Sequence, residues 1–412
     1  MNKVIYVYLD LGNPLFIAKL YCDAINGKEI YSIELSDEYL KSNFSHIRLD
    51  PEIENYPGRQ YLSSDKKIFG FISDSCPDRW GRNLLNRKEK ENASMEHRVP
   101  RKLNESDYLL GVYDKSRMGA LRYKLDLNSD FLANDIKESI PPWIYLRTLE
   151  QSAINFDFDE SIDNDWINNL LVPASSLGGA RAKASVYDNG GNLWIGKFPS
   201  RKDDYDIGAW EYVANELAKL CSLDVPDFKL EKFSKYGSTF LTKRFDRNDD
   251  KRLHMISMMT CLKAKDGDND NYSYIDIADF IKANSIEPKS DLIELWKRLI
   301  FNMAINNNDD HLRNHAMILD EKGLRLSPIY DINPSPYGNR LSINITMDDN
   351  LIDTDNLFKT YQYYNLNKLE ALRYYNEIVT IINSNWKEIA TRIGISNNSI
   401  ELMKSAFKLK NI

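Results

Sequence analysis

Apolar and polar residues alternate along the first fifty positions of the chain. The alternating runs are short, at Val4–Tyr8, Phe16–Ala18 and Ile30–Ile33, and an Asn-Gly pair occupies positions 26 and 27. Because Asn-Gly between alternating runs is a strong hairpin signal, the pattern predicts a small antiparallel sheet. Residues 74–92 follow with apolar positions among many Arg and Lys residues, which predicts an amphipathic helix.

A second β-rich region is predicted between residues 171 and 244. Its pattern is loop, strand, turn and strand, then an amphipathic helix and two more strands. The predicted elements are the strands Ala184–Tyr187 and Leu193–Phe198, the helix Gly208–Cys221, and the strands Phe228–Lys232 and Thr239–Arg244. From about residue 255 the pattern is mainly helical, apart from a predicted hairpin at Ala316–Leu326.

At 412 residues the chain is too long for one compact core. The order of elements predicts a small β-rich N-terminal domain at 1–125, a β-sheet lobe at 126–247 and a mainly helical lobe at 248–412. The predicted fold class is therefore α+β.

Composition and charge narrow the function classes. Apolar residues make up 42% and charged residues 28% of the chain, which is a globular composition. The net charge of −7 is spread along the chain, so we expect no tight DNA binding by this chain alone. The four cysteines form no CxxC pair and are expected to be reduced thiols. No apolar stretch approaches the ~18 residues of a membrane span and no signal peptide is visible, so we expect a cytoplasmic protein without membrane contact.

The spacing of acidic and amide residues after position 305 is the most specific signal in the chain. Asp309 is followed five residues later by Asn314, then by the predicted hairpin and by Asp331. Phosphoryl transfer needs a carboxylate that orients the attacking hydroxyl and oxygen ligands for Mg²⁺. Protein kinases supply these groups in the same order of Asp, Asn, strand pair and Asp. The spacing predicts Asp309 as catalytic base and Asn314 and Asp331 as Mg²⁺ ligands.

Other interpretations of this segment stay open. Asp310 lies four residues before Asn314 rather than five, so we expect a supporting or capping role for it. Residues 306–310 also suit a polar turn that closes a helix. His311 and His315 have the spacing of a metal pair on a helix. The Glu that a zinc protease needs beside the first His is missing, so we expect His311 to hold the loop.

The phosphate-binding residues are expected upstream. The loop at 175–183 contains Gly178 and Gly179, whose missing side chains let backbone N–H groups approach phosphate oxygens. The loop matches neither GxGxxG nor the Walker pattern, so the glycines alone are weak evidence. Lys197 on the next strand is expected to bridge phosphates, and Glu211 in the following helix is expected to hold it by an ion pair.

Residues 243–247 close the β-sheet lobe, where the hinge of a two-lobed kinase would lie. The backbone there is expected to meet the adenine, and Phe245 suits plain core packing equally well. A β-rich lobe followed by a helical lobe is the order that a kinase-like bilobal fold requires.

Several separated motifs occur in a fixed order along the chain. They are Ser176-Leu177-Gly178-Gly179-Ala180, Lys197-Phe198-Pro199, Glu211, Val225-Pro226-Asp227, Arg244-Phe245-Asp246-Arg247, Asn308-Asp309-Asp310-His311-Leu312-Arg313-Asn314 and Pro328-Ile329-Tyr330-Asp331. Together they resemble the HipA family of serine/threonine kinases, the toxin components of bacterial toxin–antitoxin pairs. The residues at 74–82 and 118–121 resemble the domain that precedes the kinase in that family.

The resemblance implies a kinase-like bilobal fold with ATP and Mg²⁺ as cofactors. It also implies that Ser176, or alternatively Ser175, is autophosphorylated, which would eject the loop and switch the enzyme off. With the loop and hinge described above, the expected ATP contacts are Ser176, Gly178, Gly179, Ala180, Lys183, Lys197, Lys243, Phe245 and His311.

The resemblance implies partners as well. Family substrates include aminoacyl-tRNA synthetases, and the usual partner is a helix-turn-helix antitoxin of HipB type that binds DNA. The chain shows no helix-turn-helix of its own, so DNA contact is expected only through that partner. Asp331 is followed by Ile332-Asn333, which departs from the Phe-Gly of typical protein kinases.

The first interpretation is therefore a Mg²⁺- and ATP-dependent protein serine/threonine kinase. Two alternatives stay open. One is a non-catalytic pseudokinase that acts as corepressor with a DNA-binding antitoxin. The other is a small-molecule phosphotransferase, which the same residues permit.

Overall fold

The computed structural model describes residues 2–25, 28–63, 65–132, 140–156, 181–248 and 251–412. The chain separates into two compact units. Unit 1 comprises Met1–Arg201 and Lys243–Ile256, and unit 2 comprises Lys202–Thr242 and Ser257–Ile412. The three domains expected from the sequence, 1–125, 126–247 and 248–412, stay a prediction.

Strands and helices both occur throughout the described residues. The strands are β1 (Lys3–Asp10), β2 (Pro14–Ile25), β3 (Lys28–Leu35), β4 (Arg59–Tyr61), β5 (Leu121–Lys124), β6 (Lys183–Tyr187), β7 (Leu193–Lys197), β8 (Phe228–Glu231), β9 (Thr239–Lys243), β10 (Arg247–Asn248), β11 (Lys251–Arg252), β12 (His254–Ser257), β13 (Ala316–Leu319) and β14 (Leu324–Leu326). The helices are α1 (Asp37–Leu40), α2 (Gly70–Ser73), α3 (Arg79–Met95), α4 (Glu105–Leu110), α5 (Leu146–Phe156), α6 (Ile207–Leu220), α7 (Met258–Cys261), α8 (Tyr274–Asn284), α9 (Pro288–Ala304), α10 (Thr354–Phe358), α11 (Lys368–Arg392) and α12 (Asn397–Met403).

An antiparallel sheet of five strands forms the N-terminal part of unit 1, in the order β4-β3-β2-β1-β5. On β1, Ile5, Val7 and Leu9 are buried, and the residues between them are half-buried, as a strand with one face on a core requires. The predicted N-terminal sheet is confirmed, with β2 and β3 paired on either side of positions 26 and 27.

Helix α3 is the amphipathic helix expected at 74–92. It begins at Arg79 because the Asp78 carboxylate caps it, accepting the Gly81 N–H at 2.8 Å. Trp80 and Leu84 on one face of the helix are buried. Further along unit 1, β6 and β7 form the expected antiparallel hairpin, and β7 ends at Lys197.

Unit 2 begins with helix α6 and the hairpin of β8 and β9. Asp206 caps α6, accepting the Ala209 N–H at 3.1 Å, and also accepts the Ser238 hydroxyl at 2.7 Å. Helices α7 to α12 supply most of the regular secondary structure in the rest of unit 2. Trp296 of α9 is fully buried, and its ring lies 5.0 Å from that of Tyr364. The predicted hairpin after the acidic segment is confirmed as β13 and β14.

Within the described ranges, no helix combines the length and the apolar character needed to cross a membrane. The four cysteines are buried. Burial raises the pKa of Cys22, Cys76 and Cys221 to about 12, which suppresses the thiolate that nucleophilic chemistry needs.

Candidate active site

The segment predicted to carry the chemistry starts where helix α9 ends. Asn306 has a positive φ of 51°, a left-handed conformation that Asn tolerates better than most residues. Its amide donates to the carbonyls of Ser335 at 2.7 Å and Tyr337 at 3.0 Å. The Asn308 amide donates to the same Tyr337 carbonyl at 2.9 Å. These bonds attach the start of the segment to the chain that follows Asp331.

The two adjacent carboxylates have opposite environments. Asp309 is exposed, whereas Asp310 is only 2% exposed. Asp310 accepts the hydroxyl of Tyr274, and its second oxygen lies 2.9 Å from Nε2 of His315. A carboxylate saturated by buried partners is unavailable to a substrate, so the geometry supports the choice of Asp309 over Asp310 as base. The catalytic role itself stays a prediction.

Asn314 and Asp331 lie close to Asp309, although the β13–β14 hairpin separates them in sequence. The Asn314 amide donates to the main-chain carbonyl of Asp309 at 3.1 Å. The Tyr330 hydroxyl donates to the carbonyl of Arg313 at 2.6 Å, which fixes Asp331 beside the turn that contains Asn314. Three oxygen-bearing side chains of the expected types therefore come together in unit 2.

The electrostatics of Asp309 reflect this crowding. Although the Asp309 side chain is accessible to solvent, the surrounding protein partly desolvates its carboxyl, which raises the pKa. The negative charges of Asp331 and Asp310 raise the pKa further, while His311 lowers it. Mutual repulsion between carboxylates that share a site is what a divalent cation relieves. The donor set, a carboxylate and an amide beside a second carboxylate, is of the hard oxygen kind that Mg²⁺ takes.

The paired histidines do not lie on an α-helix. Residues Leu312–Asn314 form a single 3₁₀ turn, and His315 follows it in extended conformation beside Asp310. Among the described residues, no group of three His, Cys, Asp or Glu side chains is arranged to hold a metal. His311 is half-buried, and its Nδ1 has no hydrogen-bond partner within the described part of the chain.

Lys183 and Lys197 lie directly opposite each other on β6 and β7 of unit 1. Directly paired residues project from the same face of a hairpin, so both lysine side chains lie on one face of β6 and β7. Lys183 is buried and lies 3.5 Å from the Asp78 carboxylate. Burial raises the pKa of Asp78 to about 6, although the Lys183 ammonium lowers it. Sequence reasoning missed Asp78, whose partner lies 105 residues away.

The segment expected to form the hinge contains a buried ion pair. Arg244 and Asp246 are both buried and form an ion pair. Lys243, which precedes Arg244, and Phe245, which lies between the two, are half-buried. Burial alone would raise the pKa of Asp246. The Arg244 and Arg247 guanidiniums outweigh burial and hold this pKa well below its ordinary value. The motif that resembled a family signature is thus a structural ion cluster, and adenine contact there stays a prediction.

Some of the predicted site lies outside the described residues. This holds for Ser175, Ser176, Gly178, Gly179 and Ala180. Lys197 belongs to unit 1 and Glu211 to unit 2, so their ion pair stays a prediction. The structure therefore brings together Asp309, Asn314 and Asp331, whereas the ATP contacts expected elsewhere remain predictions.

The fold is similar to that of a solved protein from a toxin–antitoxin system. It superposes on HipA of Shewanella oneidensis MR-1, determined as a toxin–antitoxin complex with HipB and operator DNA, with a TM-score of 0.70 and 16% sequence identity. The match covers 98% of this chain and 94% of that chain. At this identity the likeness shows the fold alone, and it confirms the predicted α+β, kinase-like fold class.

The family follows from a match to the sequence itself. The model of the HipA-like C-terminal domain matches residues 175–402, which is more than half of the chain. The chain therefore belongs to the HipA-like family, and the resemblance inferred from the motifs is confirmed.

Curated relatives are similar over shorter stretches. A Haemophilus influenzae protein named "Putative kinase" is 30% identical over 153 residues, and a Sinorhizobium fredii protein named "Putative kinase Y4dM" is 27% identical over 185 residues. The alignments cover 34% and 38% of this chain. They span 45% and 44% of the two relatives, which is less than half of their length.

Proposed function

We propose that this protein is an ATP- and Mg²⁺-dependent kinase that phosphorylates serine or threonine hydroxyls of a protein. The observation that carries the proposal is the exposed Asp309 with Asn314 and Asp331 beside it. This set supplies a base for the hydroxyl and oxygen ligands for a metal within one small region. Membership of the HipA-like family supports the same activity.

The chemistry assigned to each residue follows from the phosphoryl-transfer reaction. Asp309 accepts the hydroxyl proton as the substrate oxygen bonds to the γ-phosphorus of ATP, and the bond from that phosphorus to the β–γ bridging oxygen breaks to leave ADP. Asn314 and Asp331 would hold Mg²⁺, which when bound neutralises phosphate charge. Lys197 would contact the phosphates, with Glu211 as its ion-pair partner.

The test is transfer of labelled phosphate from ATP in the presence of Mg²⁺. Asp309→Asn keeps the shape of the side chain but removes the base, so we expect transfer to fall by at least about a hundredfold. Asp279→Asn is the matched control because Asp279 is an exposed carboxylate on helix α8, paired with Lys282. Equal transfer by the parent and Asp309→Asn would refute the assignment.

The same experiment separates the alternative functions. Label on proteins of a cell lysate supports a protein kinase, whereas label only on small metabolites supports a small-molecule phosphotransferase. No transfer by the parent to any acceptor, together with retained ATP binding, supports a pseudokinase corepressor.

We also propose autophosphorylation of Ser176, with Ser175 as the alternative. A phosphate there adds nearly two negative charges where ATP phosphates are expected, so the modified loop is repelled from the site. Intact-mass analysis after incubation with ATP tests for the added phosphoryl group, and Ser176→Ala identifies which serine takes it.

A helix-turn-helix antitoxin of HipB type is the proposed partner, since HipA of Shewanella oneidensis was solved with HipB and operator DNA. DNA contact would then come through the antitoxin, and the protein substrate would be a cytoplasmic enzyme such as an aminoacyl-tRNA synthetase. Co-purification with candidate helix-turn-helix proteins of the same genome tests the partner, and phosphoproteomics with parent and Asp309→Asn proteins tests the substrate.

A further inference from the structure

A chain of buried hydrogen bonds runs behind the loop at 307–315 in unit 2. The Asn307 amide donates to Oδ1 of Asn302 at 3.1 Å, and the Asn302 amide donates to the Tyr274 oxygen at 2.9 Å. The Tyr274 hydroxyl donates to Asp310, whose other oxygen lies 2.9 Å from Nε2 of His315. These five side chains are at most 2% exposed, so water does not compete for their bonds.

The direction of each bond is fixed by chemistry. An ionised carboxylate only accepts, so Asp310 requires two donors, and Tyr274 and the His315 N–H are those donors. The Tyr274 oxygen accepts from the Asn302 amide, and the single hydroxyl hydrogen of Tyr274 is therefore left for Asp310. A carboxylate buried without such partners would be strongly destabilising, so the network depends on the Tyr274 hydroxyl at its centre.

The network connects both ends of the loop to the core. The Asn307 N–H donates to the main-chain carbonyl of Asn302 at 2.9 Å, and the Met258 N–H donates to the carbonyl of His315 at 2.8 Å. Between these anchors, Asp310 is the loop side chain that reaches inward to Tyr274. Asp309, the next residue toward the N-terminus, is exposed.

Tyr274 itself is held firmly. It is the first residue of helix α8, which begins with a capping box between Ser273 and Asp276. Its main-chain N–H donates to the carbonyl of Asn344 at 2.9 Å, and its ring meets that of His315 edge-on at 5.3 Å. The hydroxyl therefore has a fixed position from which to orient Asp310.

We propose that Tyr274 is a positioning residue for phosphoryl transfer, which holds the loop through Asp310 so that Asp309 faces the substrate. The inference rests on the proposed function, because it assigns Tyr274 a part in that reaction. Tyr274 does not touch the reacting atoms itself.

The test compares Tyr274→Phe with Tyr375→Phe. Tyr375 is a matched control because it is also a buried tyrosine of unit 2, with one hydroxyl bond to the carbonyl of Lys410 at 2.8 Å. We expect kcat of Tyr274→Phe to fall by about tenfold to a hundredfold, because small displacements of a base are costly, with the KM for ATP changed by less than about twofold. A kcat equal to that of the control, or a raised KM with unchanged kcat, overturns the proposal.

Amide hydrogen exchange of residues 307–315 gives a readout that does not depend on activity. We expect faster exchange in Tyr274→Phe than in Tyr375→Phe, and the same exchange in both overturns the anchoring role. If the parent transfers no phosphate, the proposed function fails, while exchange still tests the anchor. Asn302→Leu removes the donor to Tyr274 and tests the same network if Tyr274→Phe does not fold. Where Tyr274→Phe and Asn302→Leu both fold, the double variant should exchange less fast than the sum of the two single effects. A fully additive effect on exchange overturns the proposal.

Discussion

His254 is buried in unit 1, and neither ring nitrogen has a hydrogen-bond partner among the described residues. Burial lowers its pKa from 6.5 to about 4. The unfolded chain therefore binds a proton more readily than the folded chain between these pH values. The free energy of unfolding that depends on keeping His254 neutral is fully present above pH 6.5 and is lost as the pH falls toward 4. The whole change amounts to about 3 kcal/mol.

We predict that His254→Leu abolishes this component of the pH dependence. At pH 7.5 the substitution should cost little, because it removes a polar group that has no partner. Urea unfolding at several pH values between 7.5 and 4.5 measures the effect, and His46→Gln, at an exposed histidine, is the control. Equal pH dependence in the parent and His254→Leu would contradict the prediction.

Residue spacing selected Asp309, Asn314 and Asp331 as candidates because the three belong to a local order of loop, turn and hairpin. It did not identify Tyr274, which lies 36 residues from Asp310 and has no sequence feature that marks it. Spacing along the chain reports neighbours within one loop or hairpin. A hydrogen bond between distant segments depends on how helices pack, and the sequence pattern does not encode that packing.

At the scale of elements, helix α6 packs very closely on the loop before β9. A Cβ placed on Gly208 would lie 2.2 Å from the carbonyl oxygen of Ser238, far inside van der Waals contact. Asp206 binds the same residue, accepting the Ser238 N–H at 2.9 Å. The helix that carries Glu211 is therefore fixed to this loop by a contact that only glycine permits.

We predict that Gly208→Ala destabilises the protein by about 2 kcal/mol, since the clash outweighs the gain of about 1 kcal/mol that Ala brings to a helix. Gly267→Ala is the control, because Gly267 has a positive φ of 93° and open space around it, so only backbone strain of about 1 kcal/mol applies. Thermal unfolding measures both variants. A smaller effect for Gly208→Ala than for the control would count against the contact.

The sequence pattern predicted this helix at 208–221, and the structure has it at Ile207–Leu220. Periodicity and capping residues are local signals, so they located the helix and the hairpins around it well. The pattern gave no sign that Gly208 meets Ser238, because that contact joins two segments thirty positions apart. Element positions were thus predictable, and their packing was not.

At the scale of the whole molecule, residues 243–256 are joined to the N-terminal part of unit 1. Asp246 accepts the Gly119 N–H at 2.7 Å, and Arg244 donates to the carbonyl of Ser116 at 2.6 Å. Arg252 donates to the Asp114 carboxylate at 3.0 Å. The predicted boundary at 125 rests on the change to polar and acidic residues that follows, and the one at 247 rests on the hinge expected at residues 243–247. These contacts join residues that lie before position 125 to residues that lie on both sides of position 247, and the partners are more than 120 residues apart.

We predict that a fragment of residues 126–412 is much less stable than the whole chain. Removing residues 1–125 takes away Asp114, the carboxylate partner of Arg252, and the Ser116 carbonyl that accepts from Arg244. Breaking a buried charge pair typically costs about 3–5 kcal/mol. The fragment should melt at lower temperature or aggregate, as measured by thermal unfolding and gel filtration. Co-expression with residues 1–125 as a separate chain restores the partners, so the two pieces should co-purify and melt near the parent. A fragment as stable as the whole chain would show that the contacts of residues 244–252 with residues 114–119 are dispensable and that the kinase-like part folds independently.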